Sequence, residues 1–100
     1  MVRMLSSAGV VLLLAAGHAQ AAGDVAAGKS KAAACTPCHG ANGQGVPPNP
    51  ALAGQSEQQL LGELQDYKSG KRSNAIMKAM AAGLSEQDME NLAAYFASLK

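Results

Sequence analysis

The sequence predicts an all-α fold, and three observations carry that reading. Apolar residues recur at 3.6-residue spacing in two separate segments, each opened by a serine able to cap a helix. A third, alanine-rich segment follows an aspartate of the same capping type. No stretch alternates apolar and polar residues as a half-buried strand would. About four helices are expected.

The chain opens on a short basic start, Met1-Val2-Arg3-Met4, then an apolar run from Ala8 to Ala16, then Ala19-Gln20-Ala21, a small-x-small cleavage pattern. This is the plan of a secretory leader. The apolar run is about half the ~20 residues that a spanning helix needs. The expected organisation is a removed signal peptide over 1–21 and a single domain over 22–100, without a membrane anchor. His18 belongs to the leader, so His39 is the sole histidine of the remaining 79 residues.

Asp24 caps a first helix expected over Val25 to Ala34. Gly28 lies inside it, where glycine costs about 1 kcal/mol against alanine, a cost often tolerated where another helix must come close. Gly40 to Gly54 reads as a loop, because Pro47, Pro48 and Pro50 exclude a regular helix. Ser56 and Gln59 have the spacing of a capping box. The helix they open places Leu60, Leu61, Leu64 and Tyr67 on one stripe and stops at Gly70. Lys71 to Asn74 form a polar connection. Ala75 to Ala82 read as a short methionine-bearing helix or loop ended by Gly83. Ser85 caps the last helix, Glu86 and Asp88 suit its first turn, and Met89, Leu92, Ala93, Phe96 and Leu99 form its apolar face.

Chemistry concentrates in Cys35-Thr36-Pro37-Cys38-His39. Two cysteines separated by two residues, with histidine immediately after, form an attachment site for a c-type haem. Both thiols add across the porphyrin vinyl groups to make thioethers, and His39 is placed to bind the iron. A redox dithiol has no need of the adjacent histidine. A zinc site wants four ligands, and the domain offers two cysteines and one histidine.

Size and charge agree. A domain of 79 residues usually needs a staple. Its aromatic residues are only Tyr67, Tyr95 and Phe96, so a large flat cofactor would supply much of the core. Of the eight basic residues Arg3 leaves with the leader, and the remaining seven balance seven acidic ones. There is no basic run and no aromatic platform for nucleic acid. Lys68, Lys71 and Arg72 form a small basic cluster, read as solvated surface, with the alternative that Arg72 neutralises a haem propionate or that the cluster meets an acidic partner. Met89 belongs to the packed face of the last helix. Met77 and Met80 could share a helical face, and their spacing alone does not choose between them.

The attachment motif, Gly28 seven residues before it, Pro50-Ala51-Leu52-Ala53-Gly54-Gln55, Leu84-Ser85 and Leu92-Ala93-Ala94-Tyr95-Phe96 together resemble the class I monohaem cytochromes c. The likeness is to their small bacterial c4/c5/c553-like branch and covers nearly the whole domain. It implies a cytochrome c fold wrapped around one covalent haem c, held by Cys35 and Cys38 with His39 on the iron. It implies that Gly28 meets Tyr95 where the first and last helices cross, and that the Pro50 carbonyl orients His39. It assigns the second axial position to Met77, eight residues before Ser85. Ala75-Ile76 stand where many members carry proline or glycine. It further implies a non-enzymatic periplasmic electron carrier between larger redox proteins, such as membrane quinol-oxidising complexes, terminal oxidases or periplasmic reductases. The alternatives are a dedicated haem subunit of one oxidoreductase complex, or a haem enzyme with an open iron site. The last lacks a second histidine and a distal arginine set.

Overall fold

The computed structural model describes Gly9 and residues 23–99. The expected leader and its cut at 21 fall outside those residues except for Gly9. Asp24 Oδ1 accepts the Ala27 N–H at 3.0 Å and starts α1, Val25–Lys31. The chain then tightens into a 3₁₀ turn over Ala32–Ala34, so the expected first helix is an α-helix with a 3₁₀ end. A single further turn, α2, spans Thr36–His39, with Pro37 at its start, where a missing N–H costs nothing. The chain beyond it runs as loop to Ser56, and its only ladder-like pairing is an isolated bridge between Val46 and Asn49.

Ser56 caps α3, Glu57–Ser69, through the Gln59 N–H at 3.1 Å. The reciprocal arm of the expected capping box does not form. The Gln59 amide instead reaches Glu63 one turn on, at 3.5 Å. The helix ends at Gly70 as its sequence predicts. Ala75–Ala82 is a true helix, α4, and α5 spans Glu86–Ser98. At the start of α5, Ser85 and Asp88 cap each other: Ser85 Oγ accepts the Asp88 N–H at 3.0 Å, and Asp88 Oδ2 accepts the Ser85 N–H at 2.9 Å. Among the described residues, four helices of seven or more residues therefore carry the fold, with α2 as an added turn.

α5 is the hub, packing on α1 along one side and on α3 along another, while α4 packs on α3. The crossing of α1 and α5 is close enough to demand Gly28. A Cβ there would lie 2.0 Å from the Asn91 carbonyl oxygen and 2.8 Å from Tyr95 Cβ. Asn91 Oδ1 also accepts the Asp24 N–H across the crossing, at 2.8 Å. The continuous core is small: Ala32, Leu60, Leu92, Ala93 and Phe96. Burying Leu92, the largest fully enclosed side chain, contributes roughly 2 kcal/mol. Met89 is 2% exposed within α5, in the packing role its position predicts.

Candidate haem-attachment site

Four of the five core residues, Leu60, Leu92, Ala93 and Phe96, also wall a cavity of about 440 Å³. The rest of its wall comes from the 3₁₀ turn, α2, the proline-bearing loop, α3 and α4. The chain folds around this space rather than beside it.

The attachment motif sits on one wall. Cys35 precedes α2 and its carbonyl accepts N–H bonds from both Cys38 (3.2 Å) and His39 (2.9 Å). One helical turn thus brings two thiols three residues apart onto a common side, as side chains at this spacing stack. Both cysteines and His39 line the cavity. Burial, reinforced by the neighbouring Cys38, pushes the Cys35 thiol above its ordinary pKa. A redox-active dithiol depends on the opposite, a depressed thiolate pKa. Among the described residues no three histidine, cysteine or acidic side chains cluster as a metal cage would require.

His39 is 6% exposed, and its Nδ1 lies 2.8 Å from the Pro50 carbonyl oxygen. A carbonyl only accepts, so Nδ1 carries the hydrogen and the neutral ring keeps its lone pair on Nε2. Such a bond fixes the ring and raises the donor strength of the free nitrogen. The loop delivering Pro50 is itself tied to the motif. Gly45 N–H donates to the His39 carbonyl at 2.7 Å, and Asn49 Nδ2 donates to the Cys38 carbonyl at 2.9 Å. Gly40, at φ +93°, makes the turn out of α2 that sends the chain into this loop.

Met77 and Met80 both line the cavity from α4. Met77 is half-buried, whereas Met80 is 42% exposed. All four residues singled out by the sequence, Cys35, Cys38, His39 and Met77, therefore meet at one space. Two that it did not single out join them. Gln55 Oε1 is buried without a partner, while its amide nitrogen donates to the Ala51 carbonyl. Asn74 stands at the head of α4. Arg72, read as surface, also reaches the wall, paired with Glu63 at 3.3 Å and lying 5.2 Å from the centre of the Tyr67 ring. An amide side chain has no spacing signature of its own, although Asn74 has the residue type of a helix cap.

The residues fit a c-type haem. The walls are mostly apolar, the thiols are paired on one turn and the histidine presents a free nitrogen. Cys35 and Cys38 would hold the porphyrin, and His39 with Met77 the iron.

Comparison with known proteins agrees. The cytochrome c family model matches residues 25–100. Cytochrome c4 of Pseudomonas aeruginosa is 53% identical over 85 residues, covering 84% of this chain and 42% of its own length. The thiosulfate dehydrogenase electron acceptor of Thiomonas intermedia is 44% identical over 77 residues, covering 75% of this chain and 36% of its own. The crystal structure of reduced cytochrome c4 from Pseudomonas stutzeri superposes with a TM-score of 0.75 at 45% identity, over 79% of this chain and 47% of that one. The chain spans between 42% and 52% of the length of four cytochrome c4 relatives that it matches. With an all-helical fold wrapped around a cavity that an attachment motif lines, the chain belongs to the cytochrome c family, on the c4-like branch of the class I proteins, and its cofactor is haem c.

Proposed function

We propose that this domain is an exported, periplasmic carrier of single electrons, with residues 1–21 removed as its leader and residues 22–100 as the carrier. When bound, the haem supplies a reversible one-electron iron couple. The chain's part is to hold that group still and to close it to other ligands. The observation that carries the reading is that two side chains able to bind iron, His39 and Met77, line one cavity. His39 is locked by Pro50 with Nε2 free, and Met77 reaches the same space from α4. Two protein ligands leave no position for a substrate, and methionine against histidine raises the potential. The apolar walls from Leu60, Leu92 and Phe96 keep water from the centre. Partners are larger redox proteins meeting the domain through small, short-lived interfaces, typically under about 1,200 Å². The Thiomonas relative, described as an electron acceptor, supports this role.

A second reading is favoured by the same relative's name, which pairs it with a thiosulfate dehydrogenase: the domain would be a resident haem subunit of a single oxidoreductase. Purification separates the two, since a carrier elutes alone. The ligand set is tested by spectroscopy. The ferric protein is expected to be low-spin with a weak sulfur-to-iron band at the red end of the spectrum. Met77→Ala should abolish the band, lower the potential and admit small ligands, whereas Met80→Ala should keep it. A wild-type protein that is high-spin and binds carbon monoxide readily would sink the carrier reading.

A further inference from the structure

We infer that Asn74 is a positioning residue for the second axial ligand: its carboxamide is what holds Met77 in place on the cavity wall. The inference rests on the assignment of Met77 proposed above.

α4 is weakly anchored for an element that must deliver a ligand. It has eight residues, and the only one fully buried is Ala81, near its far end. Its contacts to other helices run mainly to α3. At its C-terminal end the Gly83 N–H makes only a local bond to Ala81. Ile76, next to Met77, lines the same cavity and takes no part in the buried core. Packing between helices therefore does little to fix the first turn, which is the turn that carries Met77.

Asn74 supplies what packing does not. Its Oδ1 accepts two hydrogen bonds, from the Ile76 N–H at 3.1 Å and from the Met77 N–H at 3.0 Å. The second of these clamps the backbone of the ligand residue itself. Asn74 is extended, at φ −163° and ψ 113°, and its own carbonyl starts the helix by accepting the Lys78 N–H at 2.8 Å. The segment leading to it is fastened in turn. The Arg72 N–H donates to the Asp66 carbonyl at 3.0 Å, and its guanidinium pairs with Glu63 and lies over Tyr67. The result is a chain of attachments from α3 through Arg72 to Asn74 and so to Met77. Without the carboxamide, two N–H groups lose their partner and the first turn frays. The methionine sulfur then competes less well for its position.

The test uses the haem-loaded protein and imidazole as the competing ligand. Ferric wild type, Asn74→Ala, Asn74→Asp and Met77→Ala are titrated with imidazole while the red band is followed, and far-UV circular dichroism checks total helix. Asn74→Ala is expected to bind imidazole about five times more tightly than wild type, the factor that loss of one helix cap implies. Asn74→Asp, whose carboxylate accepts the same two bonds, is expected to remain within about two-fold of wild type. An Asn74→Ala protein with wild-type imidazole affinity overturns the inference, and so does an Asn74→Asp protein as loose as the alanine variant. If Asn74→Ala is too poorly loaded to titrate, Asn74→Gly, which also removes the side-chain acceptor but at a smaller cost to the helix, takes its place, and a glycine variant with the imidazole affinity of Asn74→Asp overturns the inference. Persistence of the band in Met77→Ala overturns the ligand assignment instead, and so distinguishes the two failures.

Discussion

At the scale of single residues, the chemistry of this site follows from which atoms can donate. The Pro50 carbonyl leaves His39 one choice of tautomer, and that choice frees Nε2. The cysteines differ from it in kind: in the folded domain burial, reinforced by Cys38, holds the Cys35 thiol above its ordinary pKa. We predict that Cys35→Ala or Cys38→Ala each lose one thioether and load haem poorly, and that the double variant holds none covalently. Acid–acetone extraction of the denatured double variant checks this, because pigment left on the protein would contradict it. The motif was readable in the sequence because its five residues are contiguous and each has its own chemistry. Pro50 was readable only by resemblance, since every residue offers the same backbone carbonyl. Gln55 and Asn74 escaped notice because an amide acquires a role only when folding brings it to a wall.

At the scale of elements, the helix boundaries are set by local bonds of three residues' reach, and these are the features a sequence states most clearly. Asp24, Ser56 and Ser85 cap as their types suggest. The exception, Gln59, shows the limit. A long amide has several partners within reach, and Glu63 won over the backbone. The Asp88 carboxyl is held below its ordinary pKa, chiefly by the hydrogen bond from the Ser85 backbone, with Lys31 at 3.5 Å adding charge. A depressed native pKa means that the stabilisation is complete above the unfolded value, about 4, and is lost as pH falls through the native one. Thermal unfolding of wild type and Asp88→Asn should therefore differ at neutral pH and converge in acid. A gap that stays constant down to pH ~2 would exclude this linkage.

At the scale of the molecule, the domain lacks a complete core of its own. Its buried cluster opens onto the 440 Å³ cavity. On the scale of about 24 cal/mol per Å³, leaving that space unfilled costs at most about 10 kcal/mol. A domain of this size has a total stability of only ~5–15 kcal/mol. Haem-free protein is accordingly predicted to lose most of its helix and its cooperative thermal transition. Helix content equal to the holo form, measured by circular dichroism on chain freed of haem, would show that the polypeptide suffices. The all-α class was legible from periodicity. The cavity's shape was not, because it depends on how Leu60, Leu92 and Phe96 from distant segments face one another.

The contact between Gly28 and the Asn91 backbone has a consequence for the order of events in the cell. It joins the first helix to the last, so the domain cannot shut until nearly all of it has been delivered. A chain emerging N-terminus first presents Cys35 and Cys38 while α5 is still on its way. For that interval the two thiols stand unshielded by the helix that will later wall them in. The open chain thus leaves both thiols more accessible to haem than the closed domain does.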